Sequence, residues 1–152
     1  MKTPATGGCR CGGLRFEITA APILTSACHC RGCQRMTGGP YSLSVAIPAE
    51  GFQVTQGDEV AGGRDHGFGH RFCGHCLSWV FTRPPGMDAF VNVRSPMLDE
   101  PLKAAPFVEV CTGEALAWVS VGARHSFAEI PEMSEWPALV EAFASVDPAY
   151  RE

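Results

Sequence analysis

Cys28-His29-Cys30-Arg31-Gly32-Cys33 is the stretch on which the reading turns. Three thiols fall within six residues, separated by a histidine, an arginine and a glycine. Inert cysteines behave as small hydrophobes and sit in apolar runs, which this is not. Two more pairs lie on either side, Cys9-Arg10-Cys11 and Cys73-Gly74-His75-Cys76. The last of the eight cysteines, Cys111, follows the strand-like Phe107 to Val110 and reads as core. Cys73 and Cys76 have the two-residue spacing of a zinc-binding turn. A tetrahedral zinc with sulfurs at about 2.3 Å holds those sulfurs only about 3.8 Å apart. Residues i and i+2 on a flat strand are roughly 6.6 Å apart. Cys9 and Cys11 therefore share a metal only if the chain bends, and Gly7-Gly8 and Gly12-Gly13 favour a bend. The two pairs together would make one four-thiolate site that ties the N-terminal strand to a central hairpin. Cys28, Cys30 and Cys33 remain as a second group. Three thiolates leave the fourth position of a tetrahedron to water or substrate, which separates catalytic from structural zinc. The expectation is two zinc ions. His29 and His75 are alternative fourth ligands, although His29 should point away from a metal held by its neighbours and His75 should face solvent. A redox role for Cys73 and Cys76 lacks the βαβ context it needs.

The rest of the chain fits such a site. Its 152 residues suit one domain over 1–152, with a core over about 7–130. A chain of this length buries roughly 68–70% of its unfolded surface. It is 45% hydrophobic and 18% charged, with a net charge of −4 and no basic run. Nucleic acid is not an expected partner. No apolar stretch reaches the ~18–20 residues of a membrane span, and no signal-like segment follows Lys2. The expected compartment is the reducing cytoplasm, where clustered cysteines more often bind metal than form disulfides.

Short alternating segments predict a mainly β chain. Strands are expected at Leu14 to Ile18, Tyr41 to Ile47, Phe52 to Thr55, Gly69 to Phe72, Trp79 to Thr82, Ala89 to Val93, Phe107 to Val110 and Leu116 to Val121. Cys73 and Cys76 would cap the hairpin between the fourth and fifth of these. Cys33 to Thr37 reads as one helical turn closed by Gly38-Gly39. A C-terminal helix is expected over about 136–146, capped by Ser134 with Pro137 in its first turn. Gly62 to Gly69 is a glycine-rich loop without the context of a phosphate cradle. Trp79, Trp118 and Trp136 read as core.

Gly8-Cys9-Arg10-Cys11-Gly12, then Cys28 through Gly38, then Phe72-Cys73-Gly74-His75-Cys76 resemble the glutathione-dependent formaldehyde-activating enzyme family, which includes centromere protein V relatives. The likeness runs over about 7–130, and Ser95 to Pro101 resembles the family's loop before its last strands. The resemblance implies a β-tent of folded antiparallel sheets with zinc-binding turns. It implies structural zinc on Cys9, Cys11, Cys73 and Cys76, and catalytic zinc on Cys28, Cys30 and Cys33. It further implies a carbon–sulfur lyase that joins formaldehyde and glutathione into S-hydroxymethylglutathione. Leu77 departs from the pattern by standing where the family usually has glycine, so the turn geometry is open at this point. Cys111 also lies outside the pattern.

A zinc-bound thiol is deprotonated near neutral pH. On this reading a substrate thiol takes the open position and its sulfur attacks the nearby aldehyde carbon. Zinc ringed by three thiolates is already net negative, so an anionic thiol needs positive charge close by. Arg31 and Arg35 are the candidates, with ordinary surface arginine as the alternative. His29 is a candidate proton shuttle, with surface histidine as the alternative. The competing function is a non-catalytic zinc-binding module that docks a protein partner. Reduction of oxidised methionine would need a reactive non-ligand thiol, and Cys111 looks too buried for that.

Overall fold

All but one of the expected strand segments form strands in the computed structural model, which describes residues 1–63 and 67–146. The middle of the glycine-rich loop, 64–66, lies outside the described residues. One sheet has three strands: β1 (Ala5–Gly8), β2 (Arg15–Ile18) and β5 (Phe52–Gln56), in the order β1-β2-β5. The second sheet has eight strands. They are β3 (Leu24–Cys28), β4 (Ser42–Pro48), β6 (Glu59–Ala61), β7 (His70–Cys73), β8 (Trp79–Thr82), β9 (Phe90–Arg94), β10 (Val108–Val110) and β11 (His125–Ser126). Their order is β11-β10-β3-β4-β9-β8-β7-β6. Pairing is antiparallel except at one edge, where β10 runs parallel to both β3 and β11. Helix α1 (Arg31–Thr37) follows β3, and α2 (Trp136–Ala144) closes the described chain.

Why these residues form these elements is plain along β2. Phe16 and Ile18 are buried while Arg15 and Glu17 are not, so the alternation puts the apolar pair inward. Phe16 and Phe52 meet across β2 and β5, and Phe52 meets Phe81 of the large sheet at 4.8 Å between centroids. That packing, with Ile47, Val91 and Val93, forms the core between the sheets. A second core under α2 holds Phe107, Val108, Leu139 and Phe143. The Phe107 and Phe143 rings meet edge to face at 5.3 Å. Burial of one such side chain is worth about 1.5–3 kcal/mol.

Three expectations are corrected. Leu116 to Val121 is not a strand: Val119 N–H donates to the Leu116 carbonyl in a turn. The edge of β10 is taken by β11 and not by that segment. Trp118 is accordingly 75% exposed and not core, whereas Trp79 is buried and Trp136 half-buried. Ser134 does not cap α2. The chain already turns through Glu132 to Glu135, where the Glu135 N–H donates to the Glu132 carbonyl, so Ser134 precedes the boundary. Strands β1, β3, β6 and β11 were not expected, because they are short or polar and draw their order from neighbours. No helix among the described residues is long and apolar enough to cross a membrane.

Candidate metal centre

The sequence puts Cys9 just after β1, and the chain bends there. Gly12 has φ +74°, and its N–H donates to the Cys9 carbonyl at 3.0 Å. The bend brings the Cys9 and Cys11 sulfurs to 3.4 Å. On the other side β7 ends at Cys73, where the Leu77 N–H donates to the Cys73 carbonyl and closes the turn. Leu77 itself takes the left-handed position, φ 56°, with its side chain 65% exposed. The turn is thus kept without glycine. Cys11 and Cys73 sulfurs lie 3.9 Å apart, and the sulfurs of Cys9, Cys11, Cys73 and Cys76 all fall within 4.8 Å of one another. These separations suit one tetrahedral ion. Backbone N–H groups of Leu14, Gly13 and His75 point at the sulfurs of Cys9, Cys11 and Cys73. The Ser78 hydroxyl meets Cys76 at 3.2 Å. Such contacts orient thiolates around a metal. The Ser78 hydroxyl and amide hold the Cys76 thiol down to about 5. The Gly13 N–H lowers that of Cys11, but Cys9 and Cys76 outweigh it and push it up to about 12. Four sulfurs this close share negative charge poorly without a cation among them.

The second group is built by β3 and α1. Cys28 ends β3, Cys30 caps α1, and Cys33 lies in its first turn with its N–H on the Cys30 sulfur at 3.4 Å. These three sulfurs also lie within 4.8 Å of one another. Burial raises the Cys30 thiol, while contact with Cys28 and then burial raise that of Cys33. A soft cation bound by these sulfurs would offset both effects. Gln34 pins the helix in place by donating to the carbonyls of His29 (2.6 Å) and Glu114 (2.9 Å).

His29 is 1% exposed, so it is not a surface histidine. Its Nε2 lies 3.0 Å from Glu109 Oε2 on β10, and it does not join the sulfur group. His75 faces solvent. Arg31 and Arg35 are both exposed. The Arg31 guanidinium donates to Gln34 Oε1, and its amide donates to Glu114 Oε2. Arg35 borders a shallow groove with Leu116 and Trp118. Cys111 is 7% exposed in the second core, and burial raises its thiol although Cys28 interacts with it.

The sequence reading missed Glu109 and Arg94. Arg94 ends an apolar strand, yet it is 8% exposed, with its guanidinium 4.1 Å from the Trp79 ring centroid. Burial brings it down to about 10, a shift that the charges of Cys33 and Cys28 oppose. The one local signal was a charged residue closing Phe90-Val91-Asn92-Val93.

A crystal structure of a Rhodobacter sphaeroides protein is similar, with 18% sequence identity and a TM-score of 0.46 over 62% of this chain and 87% of that one. The family model described as glutathione-dependent formaldehyde-activating enzyme matches residues 4–114 and spans all seven clustered cysteines. The chain therefore belongs to the glutathione-dependent formaldehyde-activating enzyme family.

Proposed function

We propose that the chain is a zinc-dependent carbon–sulfur lyase working in the joining direction, adding a thiol such as glutathione to formaldehyde or a related small aldehyde. The reading takes residues 1–152 as one zinc-binding domain. It rests chiefly on the Cys28, Cys30 and Cys33 group, which no fourth cysteine, histidine or carboxylate joins among the described residues. All-thiolate donor sets suit soft metals, zinc among them. Cys9, Cys11, Cys73 and Cys76 would hold the structural ion, and the three-sulfur group the catalytic one. When bound there, zinc supplies a cation that keeps a thiol deprotonated and a coordination position that can exchange.

The chain's own side chains do the rest. Cys28, Cys30 and Cys33 hold the site at the junction of β3 and α1. Arg31 and Arg35 lend positive charge to an anionic thiol at its rim. His29, fixed by Glu109, carries the proton. A new S–C bond forms as the carbonyl π pair moves onto oxygen, and the thiol's proton ends on that oxygen as a hydroxyl. No oxidant or reductant is consumed. Much of the gain is proximity of the two reactants.

Elemental analysis of wild type and Cys30→Ser, with adduct formation followed by carbon-13 NMR against the spontaneous rate, tests this reading. Two zinc ions falling to one, with loss of the rate above background, is the expected result. One zinc in both proteins and no rate above background would overturn it and leave a zinc-stapled interaction module.

A further inference from the structure

Arg94 closes β9 on the large sheet, opposite Ser44 of β4. Its Nε is buried and has no hydrogen-bond partner. Among the described residues no carboxylate pairs with it. A guanidinium presents five donors in a planar fork, and a buried one is ordinarily met by acceptors. The contact with the Trp79 ring is a cation–π one and satisfies no N–H donor.

The guanidinium borders a cavity of about 490 Å³, within the range of small-molecule sites. Trp79, Phe72, Tyr41 and Met97 give it largely apolar walls, and Met36 comes from α1, the helix that carries Cys33. A buried guanidinium with an unpartnered Nε, a largely apolar cavity and a helix shared with the three-sulfur group thus converge in one place. We propose that this cavity is the subsite for the anionic end of the thiol substrate, with a carboxylate seated on the Arg94 guanidinium. The naming of that ligand as a thiol rests on the function proposed above; the carboxylate anchor does not. Arg31 and Arg35 are exposed, where an ion pair contributes little. Arg94 is desolvated, so a carboxylate there gains more from the same charge. The selectivity that follows is for thiols carrying a carboxylate over neutral thiols of similar size.

The test is calorimetric titration of the zinc-loaded protein with S-methylglutathione, whose thiol is blocked, and with its dimethyl ester. Wild type is expected to prefer the carboxylate form by roughly tenfold or more. Arg94→Gln should erase that preference, and Arg94→Lys should restore part of it. Equal affinity for acid and ester in the wild type would overturn the proposal, and so would a preference that survives Arg94→Gln. A loss seen with Arg35→Ala but not with Arg94→Gln would also overturn it. The wild-type comparison and Arg94→Lys decide the matter even if Arg94→Gln does not fold. Arg94-dependent binding without adduct formation from glutathione and formaldehyde would sink the proposed activity and leave the anchor standing. Adduct formation with one KM for glutathione in wild type and Arg94→Gln would do the reverse.

Discussion

Leu77 sits at φ 56° in the turn after Cys76, a conformation that costs a residue with a Cβ about 1–2 kcal/mol. Glycine removes that cost and gives back about 0.5–1 kcal/mol in unfolded-chain entropy. Little packing is at stake, because the side chain is 65% exposed. Leu77→Gly is expected to raise stability by about 0.5 kcal/mol in denaturant unfolding at saturating zinc. A loss of stability would mean that Leu77 contributes contacts along the cavity edge that outweigh its strain. At the same scale, His29 shows how a neighbour changes a residue's meaning. Its position between two cysteines suggests a ligand, a proton shuttle or a surface group, and Glu109 from a distant strand holds it in the interior.

Helix α1 has only seven residues, too few to be stable on its own. Gln34 supplies the tie, donating to the carbonyl of His29, between Cys28 and Cys30, and to that of Glu114. Gln34→Ala should therefore loosen Cys33 relative to Cys28. A fall of roughly 10–100-fold in affinity of the second zinc, with the first zinc kept, is expected in chelator competition. Equal loss from both sites would point to general unfolding instead. The β1–β2 hairpin is held by another local tie, in which Asp99 accepts from Arg15 and from the Thr6 hydroxyl. The Arg15 contact, followed by Thr6, holds the Asp99 carboxyl below its ordinary value. A depressed carboxyl stabilises the fold above the unfolded pKa of about 4, and that stability is lost as pH falls through the folded pKa. Both side chains are about one-third or more exposed, which limits the effect to about 0.5–1 kcal/mol. Asp99→Asn should cost that much at pH 7 and converge with wild type in acid. Unfolding free energies measured across pH 2–7 check both size and sign.

At the scale of the molecule, the first cysteine group links the two sheets. Cys9 and Cys11 follow β1 of the small sheet, whereas Cys73 and Cys76 belong to the β7–β8 hairpin of the large one. Metal bound there would hold the sheets together across the core that contains Phe16, Phe52 and Phe81. The second group joins β3 to α1, elements already adjacent in the chain. Cys73→Ser is thus expected to lower Tm by roughly 10 °C or more, and Cys30→Ser by much less. Comparable losses in calorimetric scans would show that the two groups carry equal structural weight.

The grouping of the cysteines into sets that could hold a metal was legible in the sequence. Ligand spacing within Cys9/Cys11, Cys28/Cys30/Cys33 and Cys73/Cys76 is a property of neighbouring residues, and so is the alternation that makes β2 and β4 strands. The bend at Gly12 and the stop of α1 at Gly38 were legible for the same reason: backbone conformation there depends on the residue itself. Tertiary structure alone decided which strands pair, including the parallel addition of β10 that delivers Glu109 to His29. It also gave the edge of β10 to β11 and not to Leu116 to Val121, and buried Arg94 against Trp79. Pairing and burial depend on segments far apart in the chain, and local periodicity carries no information about which distant surface will cover a side chain.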